Sequence, residues 1–587
     1  MQYRTVFISI VCTVLAACAT DNSDDSLVAT DQAPQSPDTA AQQVVREVIS
    51  HEPVEHDIAV LPVKDEERVV SADHMRVQKH AQPFASLVAT GAVHGNIRPP
   101  SEPLYRENYA HFDSQSVKRV TDEPVSTFSI DVDTGAYSNM RRWLNQGQLP
   151  PEDAVRVEEF INYFSYAYPV PSDTRMPFSV STEMAPTPWN PNTRLLRIGI
   201  QGYEVPEQDL PASNLVFLVD VSGSMQSNDK LPLLKQALTM LVNNLDKRDT
   251  ISMVVYAGAS GVVLKPTSGD KKAEILVALQ KLQAGGSTNG AAGIRLAYQM
   301  AQQGFVKDGV NRVILATDGD FNVGLASTEE LIDLIQRKRE AGIALTTLGF
   351  GSGNYNDHLL EQLADEGNGN HAYIDRLSEA QKVLSDELTA TLLTIAKDVK
   401  IQIEFNPERV AEYRLIGYEN RMLNEEDFNN DRIDAGEIGA GHRVTALYEI
   451  SLADSAGQRL PPRRYQAGTK APSFAVASLN HELAHLRIRY KLPDEDASRL
   501  IETPITDKAY NREGSVNLRF AAAVAAFGQK LRGGKYLEDF GYADIEHLAR
   551  ASRGDDPHGY RSEFMQLVKL AGTLQQADVV SHNVDGS

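Results

Sequence analysis

The feature that most constrains this chain is Leu215-Val-Phe-Leu-Val219, an unbroken apolar run that ends in Asp220 and then in hydroxyls at alternate positions, Ser222 and Ser224. An apolar run of strand length has no face that can be left in water. It therefore reads as a strand covered on both sides, as in a parallel sheet flanked by helices. Ligands of such sheets gather at the carboxyl ends of the strands, which is where Asp220, Ser222 and Ser224 fall. A carboxylate with neutral hydroxyl oxygens is a hard donor set, suited to Mg2+ or Mn2+, ions that keep waters and an open coordination position.

Two later segments supply what this half-site lacks. Leu282-Gln-Ala-Gly-Gly-Ser-Thr288-Asn-Gly290 is a glycine-rich loop before a helical run, with Thr288 as its natural hydroxyl ligand. Arg312-Val-Ile-Leu-Ala-Thr317-Asp318-Gly319 is a second buried strand ending in a carboxylate. Together the segments resemble the metal-ion-dependent adhesion site of von Willebrand factor type A domains, with its Asp-x-Ser-x-Ser, distant Thr and Thr-Asp-Gly. The resemblance implies that Ser222, Ser224 and Thr288 ligate the metal directly, while Asp220 and Asp318 act mainly through bound waters.

The intervening chain fits a doubly wound α/β fold. Apolar residues at helical spacing occupy 231–245, Thr250–Tyr256 is strand-like, and helical patterns follow near 271–283 and 291–303. After the Asp318 strand come a helix near 328–340, a strand over 343–349, a helix near 356–366 and a long helix near 377–396. Strands alternating with helices of this length imply a parallel sheet, here in a domain spanning 211–397.

The amino terminus bears on location. Arg4 precedes an apolar run from Val6 to Ala17, too short to span a bilayer and suited to a signal-peptide core over residues 1–17. Leu15-Ala-Ala-Cys18 resembles the lipobox of bacterial lipoproteins, which implies cleavage before Cys18, lipidation of Cys18 and anchoring in the cell envelope. Ala19-Thr20 after the cysteine favours the outer membrane, on its periplasmic or surface face. The only cysteines are Cys12 and Cys18, so the processed chain is expected to form no internal disulfide. Residues 18–120 are rich in Asp, Ser, Gln, Pro and Ala without periodicity, as in a disordered tether with a mean reach of about 50–60 Å. The net charge of −22 argues against nucleic acid or an anionic membrane surface as a partner.

Residues 121–210 read as helices plus strands. Phe128, Ile130 and Val132 alternate in a strand, Thr134 is placed to cap the helix that follows, and strands are expected near 177–184 and 194–201. Asp131 and Asp133 fit either a strand-to-helix turn or a second metal site. Ser129-Ile-Asp-Val-Asp-Thr134, Arg156-Val-Glu-Glu-Phe-Ile-Asn-Tyr-Phe164 and Asp434-Ala-Gly-Glu-Ile-Gly-Ala-Gly-His442 are similar to a family of bacterial lipoproteins that place a type A domain between a characteristic N-terminal region and a C-terminal domain. Clean alternation in 399–405, 443–450 and 485–492 marks half-buried strands of a β-rich region, 398–510. Amphipathic strands on both sides of the α/β domain imply one β-sandwich into which that domain is inserted. Residues 511–576 form a helical part, including a small-residue helix over 516–531, and 577–587 a frayed tail.

Two motifs in the β-rich region carry weaker chemistry. His481-Glu482-Leu-Ala-His485 matches the zinc-protease pattern, which needs a helix so that both imidazoles share a face; here the second histidine opens an alternating strand. A metal-dependent hydrolase using these three residues is the alternative function. Asp427, Asn429 and Asp431 resemble the start of a Ca2+ loop, but Arg432 stands where Gly is needed and Ile438 where a bidentate Glu belongs. The leading expectation is a non-enzymatic, lipid-anchored protein whose metal site docks an envelope or surface protein presenting Asp or Glu. Catalysis would need a general base, and no histidine accompanies Ser222, Ser224 or Thr288 in the metal loops.

Overall fold

A computed structural model describes residues 107–172, 175–288, 290–319, 328–433, 435–464 and 481–585, with side chains in the last helix described to 577. The signal peptide, Cys18, most of the tether, Asn289, Asp434 and the last two residues lie outside the described residues.

The central α/β domain is built on a six-stranded sheet in the order His371–Ile374, Ala344–Phe350, Val310–Thr317, Ser213–Asp220, Thr250–Tyr256, Ser260–Ser268. The first five strands are parallel. Both faces of the central strand are covered, which is why its sequence is apolar without alternation. Leu215, Phe217 and Val219 pack with Leu234, Leu238 and Ile275 on one face; Val216 and Leu218 pack with Ile294, Leu331 and Leu360 on the other. Two strands escaped the sequence reading. Ser260–Ser268 is an antiparallel edge strand paired with Thr250–Tyr256, so the sheet is mixed, and the short His371–Ile374 forms the opposite edge.

The expected long helix over 377–396 is instead two short helices, Leu377–Gln381 and Leu388–Leu392, joined by a π-helical turn at Lys382–Asp386. Thr394 already begins a strand that runs to Phe405. Backbone pairing of Thr394 and Ala396 with Gly439 and Ile438, and burial of Ile395 and Ala396 in the β core, capture residues that helical periodicity alone would have kept.

The accessory domain is a β-sandwich closed across the insertion. One sheet has the order Lys118–Arg119, Val410–Leu415, Arg443–Leu452, Asn190–Gly202, Phe178–Thr187. Val444 lies opposite Ile200 and Ala446 opposite Ile198, so strands from either side of the α/β domain are direct neighbours. The other sheet has the order Met422–Leu423, Val125–Ser129, Thr394–Phe405, Glu482–Lys491, Arg499–Thr506. Phe128, Ile401 and Leu486 of this sheet share a core with Ile198, Tyr413 and Tyr448 of the first.

Helices from both ends of the described chain form one layer. Tyr137 and Phe164, with their neighbours in the helices Gly135–Asn145 and Val157–Asn162, pack with Phe520, Phe527 and Phe564 from the C-terminal helices. Leu195 and Leu447 belong to the same core, so the layer lies on the outer face of the first sheet. The run Ala521–Ala526 is buried, its small side chains permitting close approach.

Three boundary expectations are corrected. The tether does not extend to 120: Lys118–Arg119 pair with Tyr413 and Glu412, and the Glu107 carboxylate accepts hydrogen bonds from Arg142 Nη2 at 2.7 Å and the Gly353 N–H at 2.9 Å. Such contacts hold residues whose composition is still linker-like. The tail does not fray at 577, because the last helix spans Tyr560–Asp585. Thr134 makes no side-chain cap; the Ala136 N–H donates instead to Glu159 Oε2 at 2.8 Å, a tertiary cap from the next helix.

Candidate metal centre

Asp220 is the last residue of the central strand and is fully buried. Its Oδ1 accepts the Ser222 N–H at 2.8 Å, a local turn that swings the chain off the sheet. Its Oδ2 accepts the hydroxyls of Thr317 at 3.0 Å and Tyr256 at 3.3 Å, from the two neighbouring strands. Burial, and then the nearby Asp318 charge, raise the Asp220 pKa to about 6 against these stabilising hydrogen bonds. The Tyr256 hydroxyl is raised well above its usual range, first by burial, and remains a donor. A buried carboxylate of this kind is further stabilised by a cation.

The hydroxyls lie on the outward side. Ser222 and Ser224 Oγ are 2.9 Å apart, with Ser222 buried and Ser224 exposed, while fully buried Met225 anchors their loop in the core. The glycine-rich loop carrying Thr288 docks alongside: the Gly285 N–H donates to Val221 O at 2.7 Å and the Gly223 N–H to Gly286 O at 3.0 Å. Asp318 follows Thr317 on the adjacent strand and is fully buried. Gly319 completes the turn at φ +92°, where a Cβ would lie 2.4 Å from Asn356 N.

The structure thus gathers Asp220, Ser222, Ser224 and Asp318 at one end of the sheet, with the Thr288 loop hydrogen-bonded to the backbone of Val221 and Gly223. Two carboxylates and neutral hydroxyls with an exposed side fit a hard divalent ion. Sequence reasoning missed Lys230, whose ammonium lies 2.8 Å from Asp318 Oδ2. It also assigned no role to Tyr256 or Thr317, whose parts depend on strand register.

The weaker motifs fare differently. Glu482–Lys491 is a strand, in which residues four apart are separated by roughly 13 Å, so His481 and His485 do not form the paired imidazoles of a helical zinc site. The Ca2+ loop does not assemble as an EF-hand start. Glu425–Asn429 is a 3-10 turn in which Asp427 Oδ2 accepts the Asn424 N–H at 3.0 Å, and Asp431 is engaged by Arg489 at 2.9 Å. Asn429 is the exposed last residue of that turn.

Asp131 and Asp133 join Asp365 in an acidic cluster at the junction of the α/β domain and the sandwich. Its cation is internal. Arg421 lies 2.6 Å from Asp365, 3.0 Å from Glu361, 3.2 Å from Asp131 and 3.4 Å from Asp133. A second arginine, fully buried Arg141, donates to Asp375 at 2.8 Å, Glu379 at 2.7 Å and the Tyr163 hydroxyl at 3.0 Å, tying the helical layer to the end of the α/β domain.

The sheet order and strand-end residues define a von Willebrand factor type A domain, and the profile of that domain matches residues 214–387. A profile described as von Willebrand factor matches 103–197, and one described as the C-terminal region of uncharacterized protein YfbK matches 390–574. The chain belongs to the family of the Escherichia coli (strain K12) uncharacterized protein YfbK, with which it shares 47% identity over 501 residues, 84% of this chain and 85% of that one. Inter-alpha-trypsin inhibitor heavy chain H3 of Pongo abelii is 25% identical over 270 residues, 42% of this chain and 30% of that protein. Among solved structures, the von Willebrand factor type A protein from Catenulispora acidiphila aligns over 66% of this chain and 89% of its own, at 14% identity and a TM-score of 0.36. Among the described residues no helix is long and apolar enough to cross a membrane.

Proposed function

We propose that this protein is a non-enzymatic docking module of the bacterial cell envelope, held to the membrane by lipidated Cys18 and binding a partner protein through Mg2+ at the strand-end site. Mn2+ would serve in its place. Ser222, Ser224 and Thr288 would hold the ion, supported by Asp220 and Asp318, and an Asp or Glu of the partner would complete its coordination. The observation that carries this reading is the polarity of the site: fully buried Asp220 accepts the Ser222 N–H at 2.8 Å, and the Ser222 hydroxyl in turn bonds that of exposed Ser224 at 2.9 Å. Charge attraction at such a partly dry site gives specificity to a docking contact. The bound ion would supply the residual positive charge.

The Ser222 and Ser224 hydroxyls bond to each other at 2.9 Å. Capture of envelope proteins on the immobilised full chain, with Mg2+ or with EDTA, tests the reading. Metal-dependent capture, lost in Ser222→Ala, is the expected result. Equal capture under all conditions would exclude the metal-dependent mechanism.

A further inference from the structure

We propose that Lys230 acts as a built-in counter-cation to Asp318, setting how tightly the strand-end site holds its divalent ion and how much charge that ion keeps for a partner carboxylate. This rests on the reading of the site as a metal-dependent docking point.

The Lys230 ammonium lies 2.8 Å from Asp318 Oδ2 and 3.2 Å from Asn354 Oδ1, and only 9% of its side chain is exposed. Its position is fixed from both ends. The Lys230 carbonyl accepts the Leu234 N–H at 2.8 Å, opening the helix Leu231–Asn244. Its stem crosses Gly351 at φ +73°, where a Cβ would lie 2.2 Å from Lys230 Cε and 2.4 Å from Cγ. Ordinary surface lysines keep their rotamer freedom, whereas this one is directed into the site by a helix start and a glycine groove.

The consequence is a matter of charge. Asp220 and Asp318 bring two negative charges, the hydroxyls bring none, and Lys230 returns one positive charge. A divalent ion in this set leaves a net positive centre, where the charges of the two carboxylates alone would have neutralised it. The ion is therefore held more weakly, and an incoming Asp or Glu meets more attraction. At an effective dielectric near 20, a unit charge about 6 Å from a divalent ion changes its affinity by more than tenfold.

The test is titration of the full chain with Mg2+ by calorimetry and with Mn2+ by electron paramagnetic resonance. Lys230→Met is expected to bind either ion at least about tenfold more tightly. Lys230→Arg, which keeps the charge, should stay close to the wild type, and Lys230→Met combined with Asp318→Asn should lose the gain. Acetate, as the carboxylate probe, should perturb the Mn2+ spectrum at lower concentration in the wild type than in Lys230→Met. Circular dichroism checks folding, and Lys230→Gln carries the same expectation if the methionine variant is unfolded. Unchanged or weaker ion binding in a folded charge-deleted variant overturns the role of Lys230 while leaving the site itself standing. Failure of the wild type to bind either ion, with Ser222→Ala indistinguishable from it, overturns the docking reading and this inference together.

Discussion

Arg421→Met removes the single guanidinium that Asp131, Asp133, Asp365 and Glu361 share, while preserving most of its apolar stem. Arg421 is 10% exposed at its side chain and Asp133 2%, so water cannot replace the lost charge at the centre of the cluster. Asp365, 32% exposed, is partly screened and contributes least. Breaking a buried ion pair from one side costs roughly 3–5 kcal/mol, and the partial exposure of Asp365 places the expected loss near the lower end, about 3 kcal/mol.

The loss should depend on pH. Burial is the first cause that raises the Asp133 and Asp365 pKa values well above the carboxylate range, and neighbouring carboxylates add to it. For a carboxyl group raised in this way, the folded state binds protons more readily than the unfolded state, so its contribution to stability falls as pH rises through the folded-state value. Without Arg421 the repulsion grows, and the deficit should be larger at pH 8 than at pH 5. Urea denaturation at both pH values, followed by tryptophan fluorescence, measures it. A loss below about 1 kcal/mol at pH 8, or one identical at the two pH values, would refute the argument that this arginine neutralises a buried acidic cluster.

Mg2+ affinity should fall as pH drops through about 6, because protonated Asp220 no longer supports the ion, while the same protonation stabilises the metal-free fold; calorimetry and thermal melts across pH 5–8 would register opposite trends. Gly351→Ala places a side chain at φ +73° and against the Lys230 stem, so a loss of more than about 1 kcal/mol in denaturant titration is expected. Phe564→Ala empties the ring position that contacts Phe164, Phe520 and Phe527 at centroid distances of 5.7, 5.5 and 5.4 Å. It should cost about 3–5 kcal/mol and lower the melting temperature without altering Mg2+ affinity.

Features that depend on neighbouring residues were legible along the chain. The unbroken apolar run Leu215–Val219 demanded a strand covered on both faces, alternation at 443–450 demanded a half-buried one, and the hydroxyls after Asp220 marked its end as the candidate site. Features that depend on partners distant in the chain came from packing. It brought Arg421 among residues 131, 133, 361 and 365, set the Tyr256 and Thr317 hydroxyls on Asp220, and directed Lys230 onto Asp318. It also ended the helix at Leu392, since the residues that follow gained more from a sheet and a β core than from another helical turn. Periodicity records which face of an element is apolar. It carries no record of which distant charge will neutralise a buried one, because that is fixed only when separate elements pack and exclude water between them.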